Sequence, residues 1–122
     1  MTTIAPVEVA QFRLQVEGNP DAIAALEVIQ ECDGYLEDAV TLLLMRETGK
    51  QPDRGLNEWL QKSRQVVCQE EYKEALASGM IAPVIEPIAM SLGFPPGAAT
   101  VIAILVFKLG VKKFCETANP PS

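Results

Sequence analysis

Apolar side chains recur every three to four residues along most of the chain, as helices with one buried face require. In the first such segment, about Val7 to Val16, Val9, Phe12 and Val16 share a helical face. Phe12, Leu14 and Val16 also alternate as in a strand, and Gly18-Asn19-Pro20 ends the segment either way. A second helix follows, in which Asn19 can cap, Pro20 suits the first turn and Asp21 favours the positive helix end. Its apolar positions, Ile23, Leu26 and Ile29, run to a break at Asp33-Gly34. The third spans about Tyr35 to Thr48, with Leu36, Ala39, Val40, Leu43 and Leu44 as its stripe and Gly49 as C-cap. Lys50 to Gly55 is a polar turn and the best internal boundary, dividing a unit over 1–49 from a helical unit over 50–122, the two packed as one domain.

Beyond that turn a helical region extends from about Leu56 to Ala77. Leu56, Trp59 and Leu60 begin its face, and Val66, Val67, Tyr72, Ala75 and Leu76 continue it with a drift that predicts a bend or break near Ser63 or Gln69. Met80 to Leu92 is apolar, with Pro83 fit for a first turn and Pro87 placed to kink or break the helix. Gly93-Phe94-Pro95-Pro96-Gly97 is a rigid turn, and Ala98 to about Cys115 reads as one last helix, apolar on all sides for three turns. Asn119-Pro-Pro-Ser reads as a frayed tail. The fold class predicted is all-α, a compact bundle of five to six helices with the apolar C-terminal helix as its core.

That last helix raises a membrane question. Pro87 to Phe107 is 21 residues without a charge. The prolines interrupt it, and the helical part from Gly97 to Phe107 reaches only about 16 Å, half a hydrocarbon layer. Extending it to Cys115 brings in Lys108, Lys112 and Lys113, each costly at depth. Enclosure by the other helices explains the same pattern, and lysines near a helix C-terminus suit its dipole.

The net charge is -6, unevenly spread: residues 1–61 hold 11 acids against 4 bases, residues 62–122 hold 5 against 6. An acidic surface repels phosphate backbones, so nucleic acid is not an expected partner. There is no histidine, no CxxC, and the cysteines are Cys32, Cys68 and Cys115. Histidine-based triads and metal sites are thereby excluded. Three distant cysteines read as unpaired thiols, which fits a reducing compartment. With an opening Met1-Thr-Thr-Ile-Ala-Pro that lacks the basic and apolar regions of a secretory signal, the expected location is cytoplasmic.

The acids offer the remaining candidate chemistry. Glu27 and Glu31, Glu37 and Asp38, and Glu70, Glu71 and Glu74 lie opposite the apolar stripes, where solvent keeps carboxylates ordinary. Glu86 stands alone among the otherwise uncharged residues Met80 to Phe107. It either marks an exposed edge or, if buried, needs Lys108 or Lys112. Neither GxxxxGK[ST] nor GxGxxG occurs, and no cofactor or metal is expected.

Across the second and third helices, Ala22, Ala25, Leu26, Gly34, Glu37, Ala39, Val40, Leu43 and Leu44 form a pattern that resembles a ubiquitin-associated (UBA-like) domain, also similar to the N-terminal module of elongation factor Ts. The resemblance covers about residues 7–48. It implies three helices around Leu26, Ile29, Val40 and Leu43, and a protein-binding face near Leu43 and Leu44, with Glu37 and Asp38 beside it. The loop before the second helix is Glu17-Gly18-Asn19-Pro20, where the family carries Met-Gly-Phe or similar apolar residues for ubiquitin, so the fold carries over further than the ligand. The expected function is therefore that of a non-catalytic interaction or adaptor protein whose partner is another protein, with a homodimer as a further possibility. The alternative is a small membrane-associating or oligomerising helical protein of the toxin or defence type, acting through residues 80–115.

Overall fold

Eight α-helices make up residues 2–49 and 56–117, the residues that the computed structural model describes. They are α1 (Pro6–Gln15), α2 (Pro20–Glu31), α3 (Leu36–Thr48), α4 (Leu56–Val67), α5 (Glu70–Ala77), α6 (Ala82–Leu92), α7 (Pro96–Leu109) and α8 (Val111–Thr117). The predicted boundary at Lys50 to Gly55 and the tail from Asn119 lie outside the described residues.

A helix apolar on every side must be enclosed, and α7 is. Every residue from Gly97 to Val106 is buried, with α2, α3, α5, α6 and α8 packed around it. The one polar side chain in that run, Thr100, turns its hydroxyl back to the carbonyl of Pro96 at 2.8 Å, which satisfies it without a partner from outside the helix. Small residues set how closely the neighbours approach. A Cβ on Gly97 would stand 3.0 Å from Glu47 Oε1 and 3.4 Å from the Asp21 carbonyl oxygen. The starts of α7 and α2 and the end of α3 thus converge on that glycine.

Several elements follow the sequence pattern. Residues 6–15 are helical, with Val9 and Phe12 buried, so the alternation of Phe12, Leu14 and Val16 does not make a strand. Asn19 caps α2 by accepting from the Ala22 N–H at 3.1 Å, and Gly49 ends α3 in the left-handed region. The fourth helical region divides into α4 and α5 around Cys68 and an extended Gln69, within the range predicted for a break.

Others depart from it. Pro87 lies inside α6 without breaking it. A proline there deprives the Pro83 carbonyl of its helical donor, but Pro83 is exposed and water can take that role. The last helix is two: Gly110, at φ 92°, ends α7 and turns the chain back into α8, whose Val111 and Phe114 return to the core. The expectation of three unpaired cysteines is overturned, because Cys68 and Cys115 form a disulfide across 47 residues of sequence. Only Cys32 is a free thiol, so cysteine usage carries no argument for a reducing compartment.

The first residues do what no pattern foretold. Thr3 bridges Tyr35 in antiparallel fashion. The Ile4 N–H donates to the Gly34 carbonyl and the Leu36 N–H to the Thr2 carbonyl, both at 3.0 Å. Two further ties join α1 to the second half of the chain. Gln15 donates to the Gly79 carbonyl at 2.7 Å and accepts from the Ile81 N–H at 2.8 Å. Phe12 meets Phe107 edge to face, with ring centroids 5.6 Å apart.

Two substitutions probe this architecture. Leu105→Ala, at a side chain 1% exposed, is expected to lower the free energy of unfolding by about 2–5 kcal/mol in a urea titration. Gly34 and Gly93 both have positive φ, yet a Cβ on Gly34 would collide with the Ile4 carbonyl oxygen whereas one on Gly93 meets nothing. Gly93→Ala should cost about 1 kcal/mol and Gly34→Ala about 2–4 kcal/mol; equal costs would mean that the N-terminal segment does not lie on the α2–α3 turn.

Candidate protein-binding surface

The residues that the sequence offered for binding separate by burial. Leu43 and Leu44 are 4% and 5% exposed and belong to the core, where α3 packs on α7 and α2. Neither presents its side chain to a partner while the fold is closed. Glu37 is half-buried, and both of its carboxylate oxygens accept from the Thr2 N–H, at 2.9 and 3.0 Å. Asp38, one residue on, is exposed.

What α3 does expose is a different stripe. Tyr35 (its N-cap), Asp38, Leu42, Met45 and Arg46 fall at spacings of three, four, three and one, which places them within about 100° of the helix circumference. Tyr35 is 42% and Met45 41% exposed, and Leu42 is partly buried against the core. Arg46 pairs across to Glu31 on α2 at 2.9 Å, both side chains half in solvent. The Cys32 thiol lies beside this stripe. Partial burial pushes its pKa up, and the carboxylates of Asp38 and Glu31 add to the shift. A thiol so placed stays protonated and is a poor nucleophile. Exposed Glu27 and Asp33 extend the same acidic field. Sequence reasoning had assigned the apolar part of α3 to Leu43 and Leu44. The exposed stripe could have been found from the same heptad, because it lies on the side away from Leu36, Ala39, Val40, Leu43 and Leu44.

Clefts lie at three other places on the surface. One of about 290 Å³ lies between the N-terminal segment and the end of α2, lined by Ile4, Pro6, Val9, Ile29, Asp33 and Gly34 among others. Another, of about 490 Å³, opens between α5, the end of α7 and α8. The third, of about 220 Å³, has Glu86 on its wall with Asn19, Ile85 and Pro96. Glu86 is exposed, as one of its two readings had it. Of the two lysines that a buried Glu86 would have needed, Lys108 donates instead to both carboxylate oxygens of Glu8, at 3.1 and 2.9 Å, and Lys112 is exposed. The acids of α2 and α5, Glu27, Glu31, Glu70, Glu71 and Glu74, are all exposed, as a solvated face should be.

No family model matches the chain, and no curated protein and no solved structure matches it significantly.

Two carboxylates tie stability to pH in opposite senses. The Lys108 ammonium, through its hydrogen bond, holds Glu8 below the usual carboxylate range, helped by the Ala5 N–H. A depressed folded pKa contributes stability that is present above the ordinary value and lost as pH falls through the depressed one. Glu47, over Gly97, is pushed up by burial first and by Asp21 second. Its contribution is full below the ordinary range and lost as pH rises through the raised value. Lys108→Met should therefore destabilise by about 0.5–1 kcal/mol at pH 7 and by less in acid. Glu47→Gln should stabilise slightly at pH 7, the gain fading toward pH 4; thermal melts across pH check both signs.

Proposed function

We propose that the chain is a non-catalytic protein-binding module whose α1–α3 unit is of the UBA-like kind and whose contact surface is the exposed stripe of α3. The observation that carries this reading is the combination of Tyr35 and Met45, apolar and in solvent, with Asp38 and the Glu31–Arg46 pair around them. Aromatic and methionine side chains amid polar neighbours make up the centre and rim of many protein interfaces. The acidic surroundings favour a partner with basic residues at its rim. The UBA-like reading is supported by the packing of α1 on α2 and α2 on α3 through the turn at Asp33-Gly34. A cytoplasmic setting belongs to the same proposal but has no support from the cysteines.

The membrane alternative has one observation in its favour. The pair α6 and α7, bent by 116° at the Gly93 turn, is apolar and long enough together to pass as a broken span. No single helix among the described residues is long and apolar enough to cross a membrane, and the side chains of α7 from Ala98 to Val106 are already covered by protein.

The test is affinity capture with the wild-type chain and with Asp38→Lys/Met45→Lys, with light scattering and vesicle flotation alongside. The proposal expects a partner that the wild type retains and the variant loses at least about ten-fold, with unchanged circular dichroism. Capture unaffected by the double substitution contradicts the α3 surface. Flotation with anionic vesicles favours the membrane reading, and a concentration-dependent dimer that the variant abolishes makes the partner a second copy of the chain.

A further inference from the structure

We propose that α8 is a redox-controlled latch: the Cys68–Cys115 disulfide holds it against α4, α5 and α7, and reduction by a dithiol lets it swing out about Gly110 while the rest of the bundle stays folded. The proposal does not depend on the α3 surface. Helix α8 has seven residues, too few to persist as a helix without tertiary support. Two of its side chains, Val111 and Phe114, are buried; Lys112, Lys113 and Glu116 are exposed. It has two covalent attachments to the bundle. One is Gly110, at φ 92°, a conformation that suits a hinge. The other is Cys115, near its far end, joined to Cys68 at the α4–α5 junction.

An open cleft runs beside α8. The 490 Å³ cleft there is lined by Leu76, Phe107 and Gly110 below and by Val111, Lys112 and Lys113 of the helix itself. Arg64 lays its guanidinium over the Phe114 ring at 4.7 Å. Its Nε is buried without a hydrogen-bond partner. The bridge adds a covalent tie to the apolar contacts of Val111 and Phe114 at this seat. Both cysteines are partly exposed, within reach of a reductant.

The chemistry is thiol–disulfide exchange. One thiolate of the dithiol attacks a sulfur of the bridge, forms a mixed disulfide and expels the other cysteine as a thiolate. The second thiol of the reductant then closes its own disulfide and releases the first cysteine. Two electrons and two protons pass from the dithiol to Cys68 and Cys115. Oxidation by a disulfide of higher potential runs the same steps backward. Cys32, on α2's far side among carboxylates, takes no part.

Trypsin reads the latch directly, because it cuts after Lys112 and Lys113 only when α8 leaves its helical seat. Timed digestion of the full chain with and without dithiothreitol, followed by mass spectrometry after full reduction, should show cleavage there at least about ten-fold faster in the reduced protein. Cleavage after Lys62 and Lys73, inside α4 and α5, should not change. Cys115→Ser should match the reduced protein without any reductant, and Cys32→Ser should still need it. Equal rates in the two states overturn the latch. So does acceleration at every site, which would make the bridge a staple of the whole fold. Three titratable thiols in denatured protein purified without reductant would also overturn it, since no bridge would then exist.

Discussion

Burial of α7 is the constraint on which the other elements depend. Ten consecutive residues, Gly97 to Val106, have no solvent-facing side. A helix without a polar face is stable in water only if protein covers the whole of it. The remaining helices supply that cover, α2 and α3 from the first half and α5, α6 and α8 from the second. The two halves of the chain therefore share one core. Gln15, Phe12 and the Glu8–Lys108 pair then fix α1 to the second half by side-chain contacts that a separate N-terminal module would not make.

Sharing the core changes what the first three helices have available for binding. Leu43 and Leu44, near which the resemblance implied a binding face, are buried here where α3 packs on α2 and α7. The exposed sector holding Tyr35, Asp38 and Met45 is the side left over. The acids Glu27, Glu31 and Asp33 surround it, which suits solubility as well as recognition of a basic partner. Helix α8 is held by its buried Val111 and Phe114 and by the covalent bond from Cys115 to Cys68.

The fold was legible where local chemistry decides it. Asn19-Pro20 starts a helix, Gly49 stops one, and the unbroken apolar run after Gly97 announces the core. Pairing across distance was not legible. Cys68 and Cys115 meet because Gly110 reverses the chain, and a lone glycine in an apolar-to-basic transition looks like an ordinary helical residue. Pro87 misled because a proline's cost depends on whether the orphaned carbonyl faces water, which periodicity does not report. The bridge from Thr3 to Tyr35 joins residues with no shared pattern at all. For the candidate surface, periodicity showed which side chains of α3 face inward together, but which sector stays exposed depended on what packs against α3 from α2 and α7.

The claim that α7 is the common core is tested most directly by native-state hydrogen exchange across α7 at rising denaturant. If α2, α3 and α6 enclose it together, the amides of residues 98–106 exchange only when the whole molecule unfolds. Their opening free energies then converge on the value from equilibrium unfolding. Exchange of these amides at markedly lower free energy, with α2 and α3 still protected, would show that α7 leaves the bundle by itself and would contradict the shared core.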